Sequence, residues 1–198
     1  MKYIRKFLTS VSTTWAVCPV SKSAIQNILW VQTMKGEERK KENNIDRTRK
    51  LKIVEYGPGL WWFTHEILKH MSHDSTLTCF EINQQDFWPG LDALQDPRLI
   101  IHYTSCEHVR EYIEENSVDL IISTIPLSLI GKERSLSIIK ESHKILKLWW
   151  VFVTGQYVSF CKPLLQQVFW SVDHTRHLHN IPPLQIMRAI KTKEIDNR

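Results

Sequence analysis

The chain has 198 residues, 42% hydrophobic and 24% charged, an ordinary make-up for a soluble globular domain with an appendage. Its formal charge of +5 tilts it toward anionic partners, nucleic acid or an acidic membrane surface, without requiring either. Four scattered cysteines with no CxxC pair exclude a zinc knuckle or a disulfide framework, which makes a reducing cytoplasm the default, and no apolar run is long enough to span a bilayer.

Residues 1–34 read as a helical arm. Ile4, Phe7, Leu8 and Val11 share one face, the pattern breaks near Pro19, and it restarts at Ser21 with Ile25, Ile28 and Leu29. Lys2, Arg5 and Lys6 open the arm, but Ser10, Ser12, Thr13 and Thr14 make the next stretch too polar for a signal-peptide core. Basic residues beside Ile4, Phe7 and Leu8 suit a helix lying on an anionic membrane; a lid helix packed on the domain explains the same pattern. Residues 35–52 are charged and nearly devoid of large apolar side chains, a solvated linker. The expected division is therefore an arm and linker over 1–50 and a main domain over 51–198.

From Lys52 onward, strand and helix patterns alternate. The expected strands are 52–56, 77–82, 99–103, 118–124, 150–157, 168–176 and 184–191, and the expected helices are 60–72, 84–95, 106–115, 132–147 and 162–167. Short apolar strands separated by amphipathic helices predict an α/β fold, a mostly parallel sheet covered on both faces, closed by an antiparallel hairpin at the C-terminal edge. His143 falls on the apolar face of helix 132–147 with Leu136, Ile139 and Leu146, as a helix-face residue rather than a catalyst.

In an open parallel sheet, ligands bind at the carboxyl ends of the strands. The first strand ends in Glu55 and the turn Gly57-Pro58-Gly59, whose glycines permit close backbone approach and lead into a helix N-terminus. The second ends at Phe80-Glu81-Ile82-Asn83, placing an acid where two ribose hydroxyls can donate to it. The third ends at Tyr103-Thr104-Ser105-Cys106-Glu107, the fourth at Ser123-Thr124-Ile125-Pro126-Leu127 and the fifth at Tyr157. The dinucleotide fingerprint G-x-G-x-x-G fails at Trp62. In Asp173-His174-Thr175-Arg176-His177-Leu178-His179, strand alternation puts His177 and His179 on one face and His174 on the other, so no metal site is expected.

The order Glu-x-Gly-x-Gly, with the acid ahead of the glycines, resembles the S-adenosylmethionine (SAM) methyltransferases of the Rossmann-like class. Other segments narrow the resemblance. Phe7-Leu8 through Trp15-Ala16-Val17-Cys18-Pro19-Val20-Ser21-Lys22-Ser23 looks like the "FL…GAVxPSS" of bacterial phospholipid N-methyltransferases, relatives of the rRNA adenine dimethylases. Val54–Gly59 with Phe63-Thr64 is similar to their "ELGPGTGxFT", Ser123–Leu127 to their "SGLPL", and Asn180-Ile181-Pro182-Pro183 to their "NLPP".

The resemblance implies methyl transfer from SAM to an amine, the ethanolamine headgroup of a phospholipid being the leading acceptor, with peripheral attachment at the inner membrane face. It also implies that Glu55, Gly57 and Gly59 hold the methionine end of the cofactor, Glu81 the ribose, and Ser105 with Cys106 the adenine. Ser123 through Pro126 and Leu127 would line the transfer chamber, with Tyr157 as a wall or proton acceptor. An rRNA adenine N6-methyltransferase is the alternative enzyme, disfavoured because Thr124-Ile125-Pro126-Leu127 has neither the amide nor the aromatic that stacks a flipped base.

The chain departs from that pattern in three places. Ser105-Cys106 stands where the family usually has Asp-Ala. Trp61 replaces a glycine, and Leu148-Trp149-Trp150 replaces a Pro-Gly-Gly turn before the fifth strand. A third reading results, a methyltransferase fold whose tryptophans close the donor cleft and leave a binding protein.

Overall fold

The computed structural model describes residues 49–59, 61–83, 92–178 and 183–192. The expected arm over 1–34, the linker to residue 48, most of the expected helix 84–95, His179 and Asn180-Ile181-Pro182 lie outside them.

One seven-stranded sheet has the order β3-β2-β1-β4-β5-β7-β6, with β1 Lys52–Tyr56, β2 Thr76–Phe80, β3 Leu99–His102, β4 Val118–Ser123, β5 Leu146–Gln156, β6 Ser171–His177 and β7 Leu184–Ile190. The first five strands are parallel to one another, while β7 runs antiparallel to both β5 and β6. The closing hairpin is as expected, with β7 slotted inside and β6 at the edge. The chain lays down β1, β2 and β3 in one direction and then returns to the other side of β1 with β4. The point of reversal, where an open parallel sheet forms a crevice, therefore lies between the carboxyl ends of β1 and β4.

Alternation along the strands divides the core into two layers. Ile53, Leu77, Cys79, Leu120, Ile122, Val151, Val153 and Ile186 pack on one face against Phe63, Ile67 and Leu68 of α1 (Trp62–His70). Val54, Tyr56, Phe80, Ile121, Phe152, Met187 and Ala189 pack on the other, against Ile138, Ile139 and Ile145 of α2 (Lys132–Ile145) and Leu164 and Leu165 of α3 (Lys162–Val168). His143 is buried in that second layer, edge-on to Phe169 at 5.1 Å between ring centres. Its role is packing, in line with its helical spacing.

Several boundaries differ from the expected ones. The helix predicted over 106–115 is a short 3₁₀ turn, Cys106–Glu111, whose backbone leaves helical geometry at His108. Between 92 and 95 the structure has a 3₁₀ turn, Asp92–Leu94. Strand β5 starts at Leu146 rather than 150, which ends α2 at Ile145. The cause is an irregularity: Val118 pairs with Leu146 but Leu120 pairs with Val151, so two steps along β4 are spanned by five along β5. Extra residues bulge outward there, and Lys147 swings its Nζ to the buried Asp119 carboxylate at 2.7 Å. The same carboxylate accepts from the Lys52 amide at 2.8 Å, tying the bulge to the start of β1.

Helix α1 carries no acidic residue in its first turn, and its C-terminal carbonyls are closed by an arginine from a distant loop. Arg98, just before β3, donates to the carbonyls of Leu68 (2.9 Å), Met71 (3.2 Å) and Ser72 (3.3 Å), while Asp96 holds the guanidinium through Nε and Nη2. A planar fork satisfying several helix-end acceptors at once fixes α1 relative to β3. We predict that Arg98→Met costs about 2–3 kcal/mol, the weight of charge-assisted bonds to otherwise orphaned carbonyls. Urea unfolding of the variant measures it, and a Lys at 98 should recover less than half of the loss.

Candidate functional site

The turn after β1 requires glycine for two separate reasons. Gly57 has φ of +70°, and a Cβ at this position would lie 2.6 Å from Ile125 Cγ2. Its amide donates to the Phe80 carbonyl at 2.9 Å and its carbonyl accepts from Thr124 Oγ1 at 2.6 Å, so β2 and the β4 loop both clamp it. Gly59 follows with φ of +52°, and its amide donates to Glu81 Oε2 at 3.2 Å. The turn passes into α1, which begins with no side-chain cap, leaving first-turn amides unclaimed by side chains.

Two carboxylates meet at this turn. Glu55 is completely buried on the α1 face, where its Oε2 accepts from Thr64 Oγ1 at 2.8 Å and from Cys79 Sγ at 3.4 Å. Its Oε1 is buried without a hydrogen-bond partner. Burial pushes the carboxyl up to about 7; the Thr64 and Cys79 bonds pull it down and the Glu81 charge adds to the rise. Glu81 is also buried, and its carboxylate is held by the amides of Gly59 (Oε2) and Asn83 (Oε1, 2.9 Å). Glu55, Gly57, Gly59 and Glu81 thus converge on one turn, as their positions in the sequence suggest.

The loop after β4 is pinned from three sides. Thr124 bonds through its amide to the Tyr56 carbonyl (3.0 Å), Gln156 Nε2 donates to the Ile125 carbonyl (2.8 Å), and Ser135 Oγ donates to the Leu127 carbonyl (2.6 Å). Pro126 sits half-buried in this loop, its carbonyl accepting from the Leu129 amide at 2.9 Å. The flanking candidates part company. Leu120 and Ile122 face α1, so alternation sends Ser123 to the α2 face, where its Oγ is buried without a partner beside Tyr56 and Thr154. Tyr157, one residue past β5, packs half-buried with the α1-side layer.

At the β3 end, Ser105 accepts from the Glu107 amide at 3.3 Å and starts the 3₁₀ turn, while the Cys106 side chain is buried in the α2-side layer. Glu107 is engaged by both Arg134 Nε (3.0 Å) and Nη2 (2.6 Å), which holds its carboxyl below the usual range. The acid next to Ser105-Cys106 is therefore committed to an ion pair with α2. Among the described residues no group of His, Cys, Asp and Glu has the arrangement to hold a metal ion.

Both suspect tryptophans occupy glycine-like backbone. Trp61 has φ of +57° and Trp149 +69°, the left-handed region that disfavours a Cβ. The Trp61 ring lies edge-on to His65, an exposed residue one turn along α1, whereas Glu55 is reached from Thr64 on the helix's buried side. Trp149 lies in the β5 bulge, 47% exposed, at the opposite end of the sheet from the glycine turn, and its neighbour Trp150 stacks under the Arg49 guanidinium at 5.1 Å. Leu148-Trp149-Trp150, set against a Pro-Gly-Gly turn in the resembled pattern, thus lies in a bulge within a strand.

Positioning groups beyond the expected site residues include Thr64, Cys79 and Gln156. Thr64 was legible through Phe63-Thr64 in the glycine-turn motif; the other two act across strands. We predict that Gly57→Ala destabilises the chain by about 2–4 kcal/mol, from the left-handed backbone and the clash with Ile125 together. Adding Ile125→Ala to that variant should restore only the steric part of the loss in chemical denaturation.

No family model matches the sequence, and no curated protein matches it. Solved structures do match. The N-methyltransferase NodS from Bradyrhizobium japonicum WM9, in complex with S-adenosyl-l-homocysteine, aligns with a TM-score of 0.68 at 11% identity, over 97% of this chain and 98% of that one. The 1,6-didemethyltoxoflavin-N1-methyltransferase of Burkholderia thailandensis aligns with 0.68 at 14% identity, over 97% and 87%. The CurJ carbon methyltransferase aligns with 0.62 at 13% identity; the match covers 75% of this chain and half the length of that one. Strand order, the antiparallel β7 and these alignments agree that the chain has the Rossmann-like methyltransferase fold.

Proposed function

We propose that this chain binds SAM at the Gly57–Gly59 turn and transfers its methyl group to an amine, the ethanolamine headgroup of a phospholipid being the acceptor. The observation that carries the reading is Glu55 Oε1, a fully buried carboxylate oxygen without a partner at the end of the central strand. Such an atom calls for a donor from a ligand.

The residues present fit a SAM donor. Glu55 Oε1 would accept from the ammonium of its methionine end, beside the main chain of Gly57 and Gly59, where no side chain intervenes. Glu81 retains acceptor capacity for ribose hydroxyls beyond its two backbone bonds. The backbone around Ser105 and Cys106, rather than the buried thiol, would flank the adenine, with exposed Ile82 as an apolar neighbour. When bound, SAM supplies a methyl carbon on a positively charged sulfur that is already a good leaving group.

The protein's share is alignment and exclusion of water. The pinned Thr124–Leu127 segment, Pro126 included, would form a stiff chamber wall continuing from Ser123 at the end of β4, with Tyr157 just past β5 as a further lining candidate. An ammonium acceptor must lose a proton before its lone pair can attack, and solvent, or Tyr157 once ionised to its phenolate, takes that proton. Support for nitrogen as the acceptor comes from NodS and the toxoflavin enzyme, both N-methyltransferases and both aligned over 97% of this chain.

A second reading is favoured by Trp61, which holds a left-handed backbone at the very turn the donor would approach: a methyltransferase fold that binds no donor. Calorimetric titration separates the two. SAM binding by the wild type, followed by radiolabelled methyl transfer to phosphatidylethanolamine vesicles and not to RNA, is the expected result. Absence of binding at millimolar SAM would overturn the enzyme reading, and binding gained only in Trp61→Gly would establish the second.

The buried carboxyl also predicts a pH dependence. Glu55 in the folded, ligand-free chain titrates at about 7 against an ordinary value of 4.5, so between those values the folded state holds a proton that the unfolded state has released. Stability of the ligand-free protein should therefore fall as pH rises through that window. A cationic ligand group favours the ionised form, so SAM affinity should climb as pH rises toward about 7 and level off above that, with proton release read from calorimetry in buffers of different ionisation enthalpy. Glu55→Gln should bind more weakly and lose that dependence.

A further inference from the structure

Large apolar side chains are exposed on consecutive loops at the carboxyl end of the sheet. Leu129 follows β4, Val158 and Phe160 follow β5, and Leu178 follows β6, exposed by 53%, 49%, 39% and 67%. Strand order β4-β5-β7-β6 places these loops side by side along one rim, next to the proposed transfer chamber. Each has a cation close by in sequence: Lys132 after Leu129, Lys162 after Phe160, and Arg176 before Leu178, with Glu133 the acid among them.

The opposite end of the sheet also exposes apolar surface, Leu148, Trp149 and Trp170, where several of the cations are engaged within the fold. There Lys147 is bound to Asp119, the fully buried Lys191 donates to Asn116 at 2.6 Å, and Arg49 lies over Trp150. Exposed Glu114 stands near the start of β4 at that end. Lys50 and Lys52 are exposed at that end as well, so what singles out the carboxyl rim is that its apolar tips and cations stand beside the proposed transfer chamber; that pairing suits an anionic bilayer, where apolar groups enter the headgroup boundary and cations meet lipid phosphates.

We propose that this rim docks the protein on an anionic lipid bilayer, with Leu129, Val158, Phe160 and Leu178 inserted and Lys132, Lys162 and Arg176 at headgroup level, so that the transfer site opens onto the membrane. The proposal rests on the lipid-amine reading of that site. It assigns the contact to the domain rather than to the N-terminal segment. Burial of four side chains, each only partly inserted, is a modest driving force, so attachment should be reversible and weakened by salt.

The test is co-sedimentation of the full chain with vesicles of phosphatidylethanolamine and phosphatidylglycerol, and with neutral phosphatidylcholine vesicles. The combined variant Leu129→Ser, Val158→Ser, Phe160→Ser, Leu178→Ser should need at least about tenfold more anionic lipid for half-pelleting. Trp170→Ser should pellet like the wild type, and neutral vesicles should capture little of either. Should the fourfold variant fail to fold by circular dichroism, Val158→Ser and Leu178→Ser alone should each shift half-pelleting about two- to threefold. Equal pelleting of rim variants and wild type, loss on Trp170→Ser, or no pelleting of the wild type would overturn the proposal. SAM calorimetry without lipid keeps the two readings apart: a rim variant that binds SAM normally yet leaves vesicle lipid unmethylated supports the docking surface, whereas pelleting without SAM binding sinks the donor reading alone.

Discussion

A carboxyl group closed off from water at the end of the central strand constrains everything around it. Glu55 is buried because β1 is flanked by β2 and β4 and because α1 lies directly over its face. Its burial is tolerable only because Thr64 and Cys79 satisfy one oxygen. Thr64 reaches it from the first turn of α1, so that helix must start immediately after the glycine turn, and the glycine turn must approach Ile125 too closely for a Cβ. The helix start, the glycines and the β4 loop are thus consequences of one buried acid at the point where the sheet reverses direction.

The surroundings of that acid are stiff. Thr124, Gln156 and Ser135 each fix a different backbone group at the β4 loop, and Arg98 holds the far end of α1, so neither wall of the crevice rests on local contacts alone. Preorganisation of this kind would serve the proposed transfer, whose barrier is lowered chiefly by alignment, since a loosely held wall would admit water or a misplaced acceptor. The Glu107–Arg134 ion pair extends the same principle to the β3 end, where an acid is spent on anchoring α2 instead of facing a ligand.

Tryptophan at two left-handed positions is harder to reconcile with a sequence optimised for stability. Backbone strain of this size, roughly 1–2 kcal/mol at each site, persists where the rest of the fold over-determines the local path. At Trp61 the path is dictated by Pro58 behind and α1 ahead; at Trp149 it is dictated by pairing with Lys191 across the bulge. The Trp61 ring turns toward exposed His65 and Trp149 is half exposed, so neither indole has to be fitted into the core, which explains how the architecture survives them.

Much of the architecture was written in the chain order of residues. Largely apolar runs such as Lys52–Tyr56 and Val118–Ser123 announce buried strands because a central parallel strand is covered on both faces, and Gly57-Pro58-Gly59 after Glu55 announces a tight turn because Gly57 combines a left-handed backbone with a contact too close for a Cβ. These are local requirements, readable one segment at a time. Pairing across the sheet is not: the β5 bulge that begins the strand at Leu146, the capture of Glu107 by Arg134, the cap that Arg98 places on α1, and the separation of Ser123 from Tyr157 onto opposite faces all depend on residues distant in the chain. Each is a contact between segments whose relative register no single window contains, so the glycine turn was legible before folding, while the identity of its neighbours had to wait for the strands to meet.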